Sequence, residues 1–353
     1  MAVLGRRRLL VGGAVLAVLV VVAVALVVVL RDDAGDDTRL ARAVAMAPKS
    51  TQRYSWTDWA AVRDDLGSDI PTDASAGDLR RFLDEAYSAD LTSTSAIVSA
   101  AEPLQAELGL SPATVSWELF TQGAEGALLL LGVPDGFDPD DLESRLEGLG
   151  YDAPTGDDSI WTGDLAQLQP RGITPEFSYV SIDTEAGVVA ASDGADYLLD
   201  RDDAARGDSD DGVADAVAAM GEPLAASVLA GDNACADLAM TQADGPDRVR
   251  AEQLIDEAGE VGPYRGFAMG LMPDGELRVA LGFETEDQAR TNADSRAELL
   301  AGPAPGQGGS FPDRFSVERI EADGTVVTMR LDPVEGTFPL SDLSTGPVLF
   351  ATC

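Results

Sequence analysis

The side chains available for chemistry are carboxylates, two cysteines and one lysine, because the chain has no histidine. That removes Ser-His-Asp and Cys-His catalysis, His-ligated zinc or iron, and the imidazole proton shuttle. Cys235 and Cys353 fall short of a four-thiolate metal site, and a pair of them in a disulfide would ligate nothing. Lys49, the sole lysine, lies in a charged stretch of small residues, a poor setting for a Schiff base or a Ser-Lys dyad. There is no G-x-x-x-x-G-K-[ST] phosphate loop and no G-x-G-x-x-G between a strand and a helix. No cofactor is expected.

Two chemistries survive. A carboxylate pair can hydrolyse a glycosidic bond, but 62 acidic residues bring carboxylates together by chance, so none is singled out. Calcium takes oxygen ligands, and two stretches are dense in them: Asp200, Asp202 and Asp203, then Asp208, Asp210 and Asp211 before Gly212. Neither fits the calcium loop with its closing Glu, so a solvated acidic loop is the expectation and no metal site is assigned. Trp117 and Trp161 fall in or near strands, where core packing is favoured over stacking on a sugar.

The elements that position these groups begin with an apolar run bounded by Leu9 and Leu30. Its 22 uncharged residues make roughly 33 Å of helix, enough for a bilayer core of about 30 Å. Arg6, Arg7 and Arg8 precede it, which orients the chain with a cytoplasmic N-terminus and an extracytoplasmic bulk. A cleaved signal peptide is the competing reading, but the run is long and Arg31, Asp32 and Asp33 follow it directly. A single-pass anchor in the cell membrane is therefore expected, with the lipid bilayer as a partner.

Beyond Arg31 the chain carries 20 basic against 62 acidic residues, which argues against nucleic acid as a partner and suits a soluble exported surface. In the same compartment disulfides persist, and a Cys235–Cys353 bond is expected. Arginine nearly replaces lysine and Ala, Gly, Asp and Val abound, as in GC-rich actinobacterial coding, with a halophilic archaeon as the alternative source.

The expected fold class is α+β. Residues 1–8 form a cytoplasmic tail, 9–30 the transmembrane helix, 31–53 a stalk and 54–112 a small helical subdomain. Residues 113–193 form a first α+β unit, 194–262 a helical connector, and 263–353 a second α+β unit with a C-terminal tail. The helical subdomain rests on a capping-box spacing at Ser55 and Asp58 and on Leu79, Phe82, Leu83 and Ala86 at helical spacing. Each unit reads strand-strand-helix-strand-strand. Asp138 and Pro139 start one helix, Thr285 and Gln288 the other, and Asp323-Gly324 marks a hairpin. Phe177-Ser178 with Ile182, and Phe315-Ser316 with Ile320, recur in the same setting, which suggests an internal duplication.

The Arg-flanked N-terminal run, the repeated strand-helix pattern and the stretch Gly187-Val-Val-Ala-Ala-Ser-Asp193 resemble extracytoplasmic domains behind single anchors in actinobacterial envelope proteins. The resemblance covers about residues 110–335 and implies no activity or site residues. The functional expectation is a membrane-anchored, non-catalytic binding or scaffold module of the cell envelope, taking an envelope protein or a small apolar ligand. The alternative is a carboxylate-dependent cell-wall glycoside hydrolase.

Overall fold

The computed structural model describes residues 38–155, 159–204 and 211–353. Eleven strands among them form one sheet: β1 (Thr51–Thr57), β2 (Trp117–Gly123), β3 (Ala127–Gly132), β4 (Ile160–Thr162), β5 (Tyr179–Asp183), β6 (Val188–Ser192), β7 (Ala225–Ala230), β8 (Gly266–Leu271), β9 (Leu277–Gly282), β10 (Phe315–Asp323) and β11 (Val326–Pro333). The order is β10-β11-β9-β8-β7-β1-β2-β3-β6-β5-β4, and every neighbouring pair is antiparallel.

Side chains alternate across a strand, and here both faces are covered. Leu129, Leu131, Val189 and Ala191 point into one core, while Leu128, Leu130, Val188 and Ala190 point into another. That double burial is why β3 and β6 read as continuous apolar runs. The larger core is closed by helices Trp59–Asp65, Ala76–Ser88, Ala101–Leu108, Pro139–Leu149, Gly245–Ala258 and Glu286–Leu300. Arg39–Val44, Ala195–Ala204 and Asp211–Met220 close the other. The last of these starts close against the sheet at Gly212, which packs on Arg265, Gly266 and Gly282. An added Cβ on Gly266 would sit 2.1 Å from the Gly212 carbonyl oxygen, and one on Gly282 would sit 2.6 Å from it.

Several expectations are corrected. In place of a helical subdomain followed by two strand-strand-helix-strand-strand units, the chain forms one eleven-stranded antiparallel sheet with helices on both faces. β1 takes residues 51–53 from the expected stalk and 54–57 from the expected helical subdomain, and Ser55 is a strand residue while Asp58 alone caps helix Trp59–Asp65. The expected helical connector supplies β7. These two strands pair with each other at the middle of the sheet, so neither half has a free inner edge. On one side of that junction the order is β1-β2-β3-β6-β5-β4, and on the other β7-β8-β9-β11-β10.

The single-pass, signal-anchored transmembrane reading has no helix to carry it: among the described residues no helix is long and apolar enough to cross a membrane. The longest of them, Glu286–Leu300, has 15 residues, or roughly 22 Å of helix against the ~30 Å a bilayer core demands. The run from Leu9 to Leu30, with Arg6, Arg7 and Arg8 before it, lies outside the described residues.

The glycine seat of helix Asp211–Met220 gives a first test. Gly266→Ala forces backbone apart and should cost at least about 2 kcal/mol in urea unfolding. Gly148→Ala, on the exposed side of helix Pro139–Leu149 with nothing within 4 Å, should instead add about 0.5–1 kcal/mol. Equal effects at the two positions would remove the close-approach argument.

Candidate functional site

The two cysteines pair, with their Cα atoms 5.4 Å apart across 118 residues. In the chain-entropy picture, closing so long a loop contributes about 4–5 kcal/mol. Cys235 sits in the short helix Gly231–Asp237 that follows β7. The bond pins the last residue of the chain, and the tail before it is held by an unusual buried cation.

Arg296 is fully buried in helix Glu286–Leu300. Its guanidinium donates to the carbonyls of Phe350, Thr352 (2.9 Å) and Gly262 (2.8 Å), and to Asn292 Oδ1 (3.2 Å). It also lies over the rings of Tyr264 and Phe283, 5.3 and 5.9 Å from their centroids. Burial pulls its pKa down to about 10, and the Tyr264 hydroxyl opposes that. The side chain therefore stays charged at neutral pH. Tyr264 donates its hydroxyl to the Ala351 carbonyl at 2.7 Å, and burial raises its ionisation well above the usual phenol value. Reading by residue type missed Arg296, yet it falls in line with Ala289, Ala293, Leu299 and Leu300, the buried stripe of its helix.

In front of this clamp lies a cleft of about 700 Å³. It opens where four strand ends meet at one edge of the sheet. Lys49 and Ser50 precede β1 and Thr51 and Gln52 begin it; Ala230 ends β7 and Gly231, Asp232 and Asn233 follow it; Pro263, Tyr264 and Arg265 lead into β8; Glu284 and Gln288 follow β9. Antiparallel pairing of β1 with β7, β7 with β8 and β8 with β9 puts all four ends on the same side. The lining is polar and carries both signs of charge, with the only lysine of the chain among it.

The carboxyls that burial pushes above the usual range lie elsewhere. Glu118 on β2 is fully buried. Desolvation raises it, while donors from Ser95 Oγ (2.7 Å), Trp59 Nε1 (3.0 Å) and the Ala96 and Ile97 amides (2.6 and 3.2 Å) hold it down. Asp58 is raised by burial and opposed by the Ala61 amide and Arg39, whose guanidinium reaches it at 2.6 Å. Asp90, also raised by burial, accepts from the amides of Leu340 and Ser341 and from the Ser341 hydroxyl, so it caps helix Pro339–Leu343. Asp65, raised by partial burial, shares with Asp90 a cavity of about 180 Å³ at the opposite end of the sheet. Both Asp90 oxygens are already committed there.

The other sequence candidates separate. Trp117 stacks on Trp56 at 5.5 Å and lies over Gly132, while Trp161 is buried in the larger core. Of the acidic stretches, Asp208 and Asp210 lie outside the described residues. Among the described residues no group of three or more Asp, Glu, Cys or His is gathered to hold a metal ion.

Two outcomes follow from these buried charges. Arg296→Ala leaves three buried carbonyls unpaired and should lower unfolding free energy by about 3–5 kcal/mol in guanidinium titrations; a loss under 1 would show that the clamp is not electrostatic. The second concerns pH. Asp58, Asp65, Asp90 and Glu118 are raised on folding, so each binds its proton more readily folded than unfolded. Their effect favours the folded state as pH falls toward the raised values and is lost as pH rises through them. The urea midpoint should therefore climb as pH falls from neutral toward the ordinary carboxylate range, and a flat or falling midpoint would contradict the assignment.

No protein-family model matches the chain, and no curated protein matches it. Among solved structures it is similar to the one described as "Structure of crystal form I of TP0453", at 8% identity and a TM-score of 0.37, over 85% of this chain and 95% of that one.

Proposed function

We propose that this chain is an exported, non-catalytic binding module of the cell envelope and that its ligand sits in the 700 Å³ cleft. The observation that carries the reading is the cleft itself. Its volume lies in the range of small-molecule sites, and four separate segments converge on it. Export is supported by the closed Cys235–Cys353 bond and by the strongly acidic composition. The polar lining favours a hydrophilic ligand over the apolar one expected from sequence. With Lys49 and Arg265 facing the same space as Asp232 and Glu284, the ligand class is a small zwitterion, such as an amino acid or short peptide. Binding is favoured over glycoside hydrolysis because Asp58, Asp90 and Glu118 spend their oxygens on structural donors away from the cleft.

Calorimetric titration with free amino acids and di- and tripeptides tests this. Saturable binding is expected, weakened about tenfold or more (~1.4 kcal/mol) by the paired substitutions Lys49→Glu and Arg265→Glu. Binding that ignores both substitutions would move the site elsewhere. Release of new reducing ends from cell-wall glycan strands would replace the reading with an enzymatic one.

A further inference from the structure

We infer that the C-terminal tail, residues 349–353, is a redox-set strap: closure of the Cys235–Cys353 bond holds the walls of the cleft in place, and opening it loosens them. The inference rests on the cleft being the binding site, and it concerns how that site is regulated.

Two cleft walls are tied to the same five residues from behind. The first is the start of helix Gly231–Asp237, where Gly231, Asp232 and Asn233 face the cleft and Cys235, one turn on, bonds to Cys353. Beyond that helix the Met240 amide donates to Thr352 Oγ1 at 3.3 Å, and Val348, just before the five, donates its amide to the Leu238 carbonyl at 3.0 Å. The second wall is Pro263, Tyr264 and Arg265. Tyr264 donates to the Ala351 carbonyl, and Arg296 bridges the tail carbonyls of Phe350 and Thr352 to that of Gly262. Asn292 completes the bridge by accepting the Gly262 amide at 3.0 Å. The third wall is linked through the helix that carries Arg296 and Asn292, since Gln288 of that helix lines the cleft.

The tail has no strand or long helix of its own, only the short turn Leu349–Ala351. Its place depends on the side-chain donors Tyr264 and Arg296 and on one covalent bond. Leu349, Phe350 and Ala351 are buried, yet Cys353 is exposed and Cys235 half-exposed, so an external thiol can reach the bond. The exchange balances. Closure removes two electrons and two protons from the Cys235 and Cys353 thiols, and a disulfide oxidant takes them up to become a dithiol. A dithiol reductant reverses this through a mixed disulfide and leaves as the cyclic disulfide. The coupling is mechanical: freeing Cys353 removes the one tie that does not fray, and local opening of the tail then exposes both walls.

Hydrogen–deuterium exchange on the full chain tests the strap without any ligand. It compares the oxidised protein, the protein held in dithiothreitol, and Cys353→Ser. The expected result is exchange about tenfold faster at residues 230–234 and 262–266, with β3 (Ala127–Gly132) unchanged. Faster exchange confined to residues 349–353 would overturn the inference. Where reduction unfolds the whole chain, seen as equal acceleration in β3, Tyr264→Phe decides with the disulfide intact. Acceleration at 262–266 supports the strap, and none overturns it. Because no ligand enters these measurements, a failed strap and a failed binding site give separate signatures. The first alters only exchange, and the second only the titrations with the Lys49→Glu and Arg265→Glu variants.

Discussion

β1 and β7 pair antiparallel from Arg53 opposite Leu229 to Thr57 opposite Ala225, and the rest of the molecule is arranged around that pairing. Each strand begins a half of the sheet, and each would otherwise present a row of unpaired amides and carbonyls along an inner edge. Joining them removes both edges at once. It also buries Trp56 opposite Ala226, with its indole donating to the Pro223 carbonyl at 3.1 Å. The remaining edges are managed differently. β4 has three residues, and β10 carries a register shift between Val317 and Arg319 with charged Glu318, Arg319 and Glu321 along it.

The same pairing makes the cleft. Two strands that meet head to tail put the start of one beside the end of the other, and β8 and β9 extend that rim. Loops at a rim are the part of a sheet protein least constrained by packing, so polar side chains collect there at little cost. Within the layers the rule is the opposite. Glu118 and Arg296 are charges without exposure, and each survives because every oxygen or nitrogen it offers meets a partner. Glu118 ties β2 to helix Trp59–Asp65 and to the segment at Ser95–Ile97, and Arg296 ties helix Glu286–Leu300 to the tail.

Local chemistry was legible in the sequence and long-range pairing was not. Asp138 caps its helix with Pro139 behind it, Thr285 and Gln288 form the capping box, and Gly324 sits at positive φ in the β10–β11 hairpin. Each of these signals is contained within about four residues. β7 has none of them: Ala225-Ala-Ser-Val-Leu-Ala is poor in the aromatic and β-branched residues that mark strands, and only burial on both faces makes it one. β1 was masked by its own end, because the Ser55–Asp58 spacing imitates a helix start while Tyr54 and Trp56 serve as alternate strand positions. Both misreadings removed the junction strands, which is why one sheet was read as separate parts. Of the site, the disulfide could be read because only two cysteines exist. The cleft could not, since it joins residues from Lys49 to Gln288 whose types are individually unremarked.

The tail shows why a chain with so plain a chemistry still builds one exacting polar cluster. A short segment without strand pairing gains little from backbone hydrogen bonds and loses conformational entropy on ordering. Phe350, stacked edge-on against Phe311 at 5.2 Å, supplies apolar burial, but burying it also drags three backbone carbonyls out of water. Those carbonyls need donors, and a guanidinium offers five in a rigid fork. Arg296 and the Tyr264 hydroxyl meet that demand from the layer behind the cleft. The donor that satisfies the tail is thus the same group that braces Gly262 and stacks on Tyr264, so the order of the terminus and the shape of the cleft wall share one set of interactions. The disulfide adds what those interactions lack, a tie whose strength does not depend on solvent exclusion.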